Sequence, residues 1–246
     1  TTDIYTLSLH DALPIFIFFG IYLISRQKTD KQTALEIIKI MSEDGIKTMM
    51  LPDSSLVYLN KFSDIEYDEK FNKRERKIKL NGEAYFEVKS DKKRPFVIET
   101  SRSVTRVLGT SFNLKAHAGS EDESIVVTSG LVEFSDKEKG REHKVQLKSG
   151  EKANLGKVLM KETNTDLNFL AWKTGIIQFR NEPLPKAVAF LSEYYGVKIT
   201  LEDAQLKDFH LTGKYEKKSI GEMMEILEMT LQIKAEKMNG HYRLKP

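Results

Sequence analysis

The feature that most constrains the fold is the segment Leu51–Val88, in which turn residues separate short apolar runs. A Pro-Asp-Ser-Ser turn precedes the first run, and Asn81-Gly82 precedes a second run in which polar and apolar residues alternate. Such punctuation is typical of short strands joined by tight turns. Because successive side chains of a strand point to opposite faces, Glu83, Tyr85 and Glu87 are predicted to share one face. The pattern therefore indicates a half-buried strand that comes after a turn.

The same pattern extends over residues 46–160, where no segment has sustained helical periodicity. Further turns are indicated at Ser129-Gly130 and Ser149-Gly150. Ten strands are predicted, at Leu56–Leu59, Lys77–Leu80, Ala84–Val88, Phe96–Thr100, Val104–Leu108, Phe112–Ala116, Ile125–Val127, Leu131–Phe134, Val145–Leu147 and Ala153–Leu155. The chain is therefore expected to be mainly β, with an all-β module that is either a sandwich of two sheets or a solenoid-like stack.

The pattern changes after residue 160. Residues 161–169 are polar and predict a linker, and residues 170–246 predict a small α/β domain. Leu184–Tyr195 has apolar residues at helical spacing with Gly196 as its stop, and Ser219 with Glu222 fits a capping box at the start of a second helix. The strands predicted around these helices are Gly175–Arg180, Val197–Leu201, Phe209–Tyr215, Leu231–Lys237 and His241–Leu244. The predicted order is β-α-β-β-α-β-β.

Composition narrows the class of function. The 246 residues carry a net charge of only +3 with both signs well represented, which is too small a bias to predict nucleic-acid binding. The basic runs 73–77 and 92–94 lack interleaved aromatic residues, so we expect them to be solvated loops. Because the chain has no cysteine, disulfides, thiolate nucleophiles and cysteine metal ligands are excluded.

No arrangement of reactive residues predicts an enzyme. Glu83 and Glu87 are expected to lie about 13 Å apart along a strand, whereas glycosidase carboxylate pairs lie about 5–9.5 Å apart. We therefore expect two exposed carboxylates on a solvated face. The acidic run 121–123 lacks the ligand pattern of a calcium loop and predicts a solvated turn, and the histidines lack metal-ligand spacing. We predict no catalytic residue, no cofactor and no metal.

The first 45 residues are expected to contain a membrane anchor. Residues 12–24 form an uncharged apolar run that is shorter than the roughly 20 residues of a membrane span. Residues 1–15 resemble a translated sequencing adapter, so residues 16–24 are interpreted as the remnant of a longer transmembrane helix. Residues 25–45 are predicted to be a juxtamembrane lead-in, either a short helix or an extended strand. The basic residues of this lead-in would favour a cytoplasmic location for the C-terminal side of the helix.

Several segments, in order, resemble the FecR family of membrane-anchored anti-sigma regulators. The segments are LPDSSLVYLN, NGEAYFEV, RPFVIET, RVLGTSFN, LKSGEKANL, WKTGIIQFRNEPLPKAV and YYGVKITL. The last two are similar to the C-terminal domain of Bacteroidetes-type members, which is related to the STN signalling domain of secretins and outer-membrane transducers. The resemblance runs from about residue 48 to the C-terminus. Ser54 stands where the family usually has a glycine, and Asp68 where a proline is common.

This resemblance implies a signal relay that spans the inner membrane once. Most of the chain would lie in the periplasm and sense the signalling domain of an outer-membrane TonB-dependent transducer. The signal would then alter the control of an extracytoplasmic-function sigma factor through a cytoplasmic segment. Adapter sequence is expected to occupy the place of that segment here. The implied topology takes precedence over the orientation that the basic residues favour.

Partner contacts are expected in the α/β domain, because two such domains could meet through a strand edge and a helix face. The predicted partner-binding residues are Trp172, Leu184, Leu191, Tyr194, Tyr195, Phe209, Leu211 and Tyr215. For Trp172 the alternative is that it packs the junction between the two domains. The alternative function for the whole chain is a β-rich carbohydrate-binding or adhesion module, which would show several aromatic side chains on one exposed face.

Overall fold

The structure, a computed structural model, describes residues 36–246 apart from the side chain of Arg141. The adapter-like residues 1–15, the transmembrane remnant 16–24 and the lead-in up to residue 35 lie outside the described residues. The described chain is mainly β, as predicted, with an all-β part followed by a smaller α/β part. No helix in this range has both the length and the apolar character needed to cross a membrane.

Within the described residues, thirteen strands form the all-β part, which we call the sandwich module. They are β1 (Ile37–Ser42), β2 (Lys47–Met50), β3 (Leu56–Leu59), β4 (Ser63–Asp68), β5 (Arg76–Glu87), β6 (Phe96–Glu99), β7 (Ser103–Val107), β8 (Ser111–Ala116), β9 (Glu123–Ser129), β10 (Leu131–Asp136), β11 (Lys144–Lys148), β12 (Glu151–Leu155) and β13 (Leu159–Thr163). The first sheet has the order β1-β4-β5-β6-β7-β10-β11, and the second has the order β2-β3-β5-β8-β9-β12-β13. Side chains from both sheets form one hydrophobic core, as in a sandwich.

Strand β5 belongs to both sheets and passes from one to the other at Gly82. Its first half pairs with β4 and β6, and its second half pairs with β3 and β8. Gly82 has a φ of 107°, and a Cβ atom there would overlap the side chain of Ser63. The prediction of a turn at Asn81-Gly82 is therefore wrong. The glycine lets one continuous strand bend between two sheets.

The turns at Ser129-Gly130 and Ser149-Gly150 also join different sheets. Strand β9 of the second sheet leads through the first of these turns into β10 of the first sheet. Strand β11 of the first sheet leads through the other turn into β12 of the second sheet. The predicted turns are present, but each forms a corner of the sandwich and not a hairpin. This arrangement supports the sandwich over the solenoid-like alternative.

Four strands of the sandwich module were not among the predicted ones, namely β1, β2, β4 and β13. The described part of the lead-in is an extended strand and not a short helix, because β1 pairs with β4 over six residues. Strand β13 overlaps the beginning of the predicted linker and pairs with β12. Strands β1 and β13 lie at sheet edges with mostly exposed side chains, so no clear alternation of apolar residues marks them.

The α/β part, which we call the mixed module, has its own hydrophobic core. Its elements are α1 (Ala171–Thr174), β14 (Ile176–Pro183), α2 (Leu184–Tyr195), β15 (Lys198–Leu201), β16 (His210–Glu216), α3 (Ile220–Leu231), β17 (Lys234–Met238) and β18 (His241–Lys245). Apart from the short α1, this is the predicted order. Strands β14 and β16 form one sheet, and β15, β18 and β17 form another. The helix stop at Gly196 and the capping box of Ser219 with Glu222 are confirmed.

A buried ion pair fixes the start of β5. The side chains of Arg76 and Asp53 are 1% and 3% exposed, and Arg76 Nη1 lies 3.0 Å from Asp53 Oδ2. The guanidinium also donates to the carbonyl oxygens of Lys89 at 2.6 Å and Arg94 at 2.8 Å. The prediction that the basic run 73–77 is a solvated loop is therefore wrong at Arg76. Composition alone does not show which cation of a run faces inward.

Asp53 also orders the turn that precedes β3. Its carboxylate accepts hydrogen bonds from the amide of Ser55 at 3.0 Å and from the hydroxyl of Ser55 at 2.6 Å. The same hydroxyl accepts from the amide of Lys89 at 3.0 Å. The Leu-Pro-Asp-Ser-Ser sequence thus joins three separate segments of the chain through one aspartate and one serine.

Replacing Asp53 with asparagine is expected to lower the free energy of unfolding by about 3–5 kcal/mol, because the guanidinium of Arg76 stays buried without its counter-charge. Urea denaturation followed by circular dichroism measures the loss. The control is Glu99→Gln, since Glu99 pairs at 2.7 Å with a lysine whose side chain is 44% exposed. That change is expected to cost less than about 1 kcal/mol. Equal losses of unfolding free energy in the two variants would show that the buried pair stabilises the fold no more than an exposed pair.

Ser54 adopts a left-handed backbone conformation with a φ of 66°, at the position where the FecR-like pattern has glycine. The variant Ser54→Gly is expected to raise the free energy of unfolding by up to about 1 kcal/mol, because glycine adopts this conformation without steric cost. The control in the same denaturation assay is Ser90→Gly. Because Ser90 is exposed and its φ is not positive, this change should lower the free energy of unfolding. A loss of stability in both variants would refute the steric explanation.

Candidate partner-binding surface

Three of the eight predicted partner-binding residues belong to the core. Leu184, Leu191 and Leu211 are fully buried in the mixed module. They cannot touch a partner while the module is folded, so their assignment to a binding surface is wrong. The helical spacing that selected Leu184 and Leu191 marks the face of α2 that packs inward. The alternation along β16 selects Leu211 for the same reason.

The tyrosines among the predicted residues lie in a line of neighbouring rings that we call the aromatic row. The row consists, in order, of Tyr215, Phe179, Phe190, Tyr194 and Tyr195, whose successive ring centroids lie 6.3, 5.8, 5.9 and 4.8 Å apart. Phe179 is buried, and the other four side chains are partly exposed. Partly exposed aromatic side chains over a packed base have the character of binding hot spots.

The aromatic row includes two residues that the sequence analysis did not select. Phe190 precedes Tyr194 by four residues, a spacing that places both on one face of a helix, so the sequence held a signal for it. Phe179 is recognised only from the packing of β14 against α2. Phe209 lies outside the row, at the far end of β16 from Tyr215, where its carbonyl oxygen accepts from the amide of Leu184 at 2.7 Å.

The tyrosines of the row sit in a poorly solvated environment. Burial raises the pKa of Tyr194 and of Tyr215 above the usual value for a phenol. Burial, followed by the neighbouring Tyr194 and the charge of Glu222, raises the pKa of Tyr195 to about 12. The hydroxyl of Tyr195 also donates to the carbonyl oxygen of Lys218 at 2.7 Å, which ties α2 to the segment before α3.

Strand β16 supplies an open strand edge in the same module. The outer edge of β14 is occupied by Asn168, whose side chain accepts from the amide of Gln178 at 2.7 Å and donates to its carbonyl oxygen at 2.9 Å. Lys214 of β16 lies opposite Gln178. Because the backbone of Gln178 points away from β16, the backbone of Lys214 points away from β14. Among the described residues no other strand pairs with β16, so its outer edge can accept an added strand.

Trp172 lies apart from the aromatic row, on the short helix α1. Its indole Nε1 donates to Oδ1 of Asn113, on β8 of the sandwich module, at 3.3 Å. The side chain is partly buried between the two modules. This geometry favours the junction alternative over an exposed anchor for a partner.

Glu83 is buried, which corrects the prediction of two exposed carboxylates. Its Oε1 accepts from Nδ2 of Asn113 and its Oε2 from Nδ2 of Asn60, both at 2.8 Å. Glu87, on the same face of β5, stays partly exposed. The face of the sheet that alternation predicted to be solvated is covered here by the mixed module. A buried carboxylate with both oxygens bonded to amides has a structural role.

Glu123 is also buried, so the prediction of a solvated turn at residues 121–123 is wrong at its last residue. Its carboxylate accepts from the hydroxyls of Thr100 at 2.7 Å and Ser101 at 3.0 Å, and from the amide of Arg102 at 3.1 Å. The residue thereby holds the β6–β7 connection against the start of β9. Within residues 36–246, no three histidine, aspartate or glutamate side chains converge in a way that could hold a metal ion.

The raised pKa of Tyr195 predicts a loss of stability at alkaline pH. The unfolded chain releases this proton near the usual pKa of about 10, whereas the folded chain holds it until about pH 12. The stabilisation is therefore complete below pH 10 and declines as the pH rises toward 12. Thermal unfolding between pH 9 and 11.5 should show a steeper decline for the unmodified chain than for Tyr195→Phe. Parallel declines would contradict the prediction.

Comparison with known proteins agrees with this architecture. Two crystal structures of a candidate anti-sigma factor from Parabacteroides distasonis ATCC 8503, at 2.50 and 1.65 Å resolution, are similar to this structure with a TM-score of 0.64 each. Their sequences are 25% and 26% identical to this one, over 85% and 84% of this chain and 99% and 98% of theirs. No protein of curated function matches.

Two family models match the sequence, and each match falls within one module. The model described as FecR protein matches residues 39–133, and the model described as FecR, C-terminal matches residues 176–243. Together these ranges cover more than half of the chain. The first lies in the sandwich module and the second in the mixed module. The chain therefore belongs to the FecR family of anti-sigma regulators.

Proposed function

We propose that the chain is the periplasmic, signal-receiving part of a membrane-anchored regulator. It relays the state of an outer-membrane TonB-dependent transducer to an extracytoplasmic-function sigma factor. The observation that carries this proposal is the coincidence of the two FecR-family matches with the two modules, in the order sandwich then mixed. The family is a regulatory one, and the buried carboxylates of the sandwich module are occupied by structural hydrogen bonds.

The mixed module is the part that would meet the transducer. Its aromatic row offers partly exposed rings around the C-terminal half of α2, and the edge of β16 offers unpaired backbone groups. A small α/β domain such as the transducer's signalling domain fits this combination. Its strand would add to β16 through main-chain hydrogen bonds, and its side chains would cover the rings. Trp172 and the buried leucines take no part in this surface.

The proposed membrane anchor lies outside the described residues. Residues 16–24 would lie in the inner membrane, and a cytoplasmic segment would contact the sigma factor. In this arrangement the mixed module comes last in the chain and faces the periplasm.

The carbohydrate-binding alternative finds little support in the described residues. A glycan platform would show several aromatic side chains together on one exposed face. Among residues 36–246, Phe62 is the aromatic residue with a largely exposed side chain, at 66%. The other aromatic side chains are buried or only partly exposed.

Substitution of Tyr194 by aspartate tests the proposed docking surface. Isothermal titration with the purified signalling domain of the transducer encoded beside this gene should show affinity reduced by about 30-fold or more. This corresponds to the loss of a hot-spot residue worth about 2 kcal/mol. Leu191 is unsuitable for such a test because it is fully buried, and its substitution would unfold the module.

The matched control is Met229→Asp, since Met229 is an apolar residue on the other helix, α3, with 83% of its side chain exposed. This variant should bind with unchanged affinity. Circular dichroism must show that both variants are folded. Unchanged affinity for Tyr194→Asp, or an equal loss for Met229→Asp, would reject the aromatic row as the docking surface.

A further inference from the structure

The two modules meet through a cation held between two aromatic rings. Lys173, on α1, places its Nζ 4.0 Å from the ring centroid of Tyr58 and 4.4 Å from that of Tyr85. The carboxylate of Glu87 lies 3.7 Å from the same nitrogen. The lysine side chain is only 20% exposed. Partial desolvation strengthens the attraction of an ammonium group for a ring face.

Next to this lysine, Trp172 extends a chain of hydrogen bonds that starts inside the sandwich module. The buried carboxylate of Glu83 accepts from Asn113 Nδ2, which orients that amide so that its oxygen can accept from the indole of Trp172. Nδ2 of Asn60 donates a hydrogen bond to the other carboxylate oxygen of Glu83. Strand alternation alone does not explain why this glutamate is buried. Its hydrogen bond to Asn113 orients the amide oxygen that accepts from the mixed module.

The second contact between the modules is made by the C-terminal turn of α2. Glu193 Oε1 lies 2.8 Å from Lys115 Nζ. The hydrogen bond to Lys115 lowers the pKa of the Glu193 carboxyl, and the positive charges of Lys115, His117 and Lys61 add to this effect. Positive charge at the C-terminal end of a helix is favourable because the helix dipole is negative there. The basic side chains of the sandwich module therefore attract the same turn of α2 that carries Tyr194 and Tyr195.

The apolar cores do not extend across this junction. Most of the buried apolar residues of the described chain fall into two separate clusters, one within residues 51–155 and one within residues 171–244. Four others, Tyr85, Val97, Ala116 and Val126, belong to neither cluster. Ring, hydrogen-bond and ion-pair contacts of this kind are individually weak. A junction of this composition can open while both modules remain folded, as expected for polar interfaces within one chain.

We propose that the junction is a releasable latch between the modules. The latch consists of Tyr58, Tyr85 and Lys115 on the sandwich module with Trp172, Lys173 and Glu193 on the mixed module. It holds the C-terminal turn of α2 against the sandwich module. Resting on the proposed function, a partner that docks on the aromatic row competes with Lys115 for this turn and opens the latch. By thermodynamic linkage, a chain with a weakened latch binds such a partner more tightly.

The fluorescence of Trp172 tests the latch without any partner, because it is the chain's only tryptophan. In Lys173→Met and Lys115→Glu, the emission should shift to longer wavelength and the acrylamide quenching constant should rise at least twofold. The conservative Lys173→Arg should keep the fluorescence of the unmodified chain, since a guanidinium also binds ring faces. The double variant Lys115→Glu with Glu193→Lys restores an ion pair and should restore the protection.

The control variant is Lys144→Met, which removes a surface pair with Glu133 far along the sequence from the junction and should leave the fluorescence unchanged. If a latch variant fails to fold, the latch can be tested on the unmodified chain by raising the salt concentration. Raising sodium chloride from about 0.05 to 0.5 M should then increase quenching, because salt screens the partly exposed charges. Quenching that is the same in Lys173→Met, in Lys115→Glu and at high salt as in the unmodified chain would overturn the latch.

Titration with the purified transducer signalling domain separates this inference from the proposed function. Lys173→Met is expected to bind about three- to tenfold more tightly than the unmodified chain, and binding should increase the quenching of Trp172. Binding that leaves both affinity and fluorescence unchanged would overturn the coupling while the proposed function stands. Absence of binding to any form would refute the proposed function, and the salt and variant series would still decide whether the latch exists.

Discussion

The buried pair of Arg76 and Asp53 fixes the place from which both sheets of the sandwich module are built. Arg76 begins the strand that the two sheets share, and its guanidinium lies 5.5 Å from the ring centroid of Phe96 in the core. A charge in such a place is tolerated only when its donors are satisfied. The aspartate and the carbonyl oxygens of the β5–β6 connection satisfy them. The turn before β3 and the loop after β5 therefore close around one cation.

The same module uses a buried carboxylate to prepare its outer face. Glu83 orients Asn113, and Asn113 receives the indole of Trp172 from the neighbouring module. The junction between the modules is made mainly of polar and charged contacts, unlike the interiors of the modules. Each interior is largely apolar, so separating its parts would cost far more than separating the junction. Because α2 carries Glu193 and three members of the aromatic row, one helix connects the junction with the surface proposed for a partner.

Local patterns identified the elements whose signals are local. The bounds of α2 follow from apolar spacing and a glycine stop, and the start of α3 follows from a serine and a glutamate three residues apart. Most strands with alternating burial follow from the same kind of signal, whereas β4 and the edge strands β1, β2 and β13 were not predicted. Binding residues do not follow from helical periodicity, because periodicity identifies the face of a helix that packs inward. Leu184 and Leu191 were selected by the pattern that marks the core, and Phe190 was passed over.

The mainly β character, the succession of the two modules and the two longer helices follow from local sequence patterns, and the ordered FecR-like segments indicate the family. These depend on neighbours a few residues apart, and their physical causes act along the chain. Three findings come from long-range packing: Gly82 bends a strand between two sheets, Arg76, Glu83 and Glu123 are buried, and Trp172 and Lys173 join the modules. Each of these depends on a partner that is distant in the sequence, or on the face that another element covers. No local pattern carries that information, since a charged residue becomes a core residue only when distant donors or acceptors replace water.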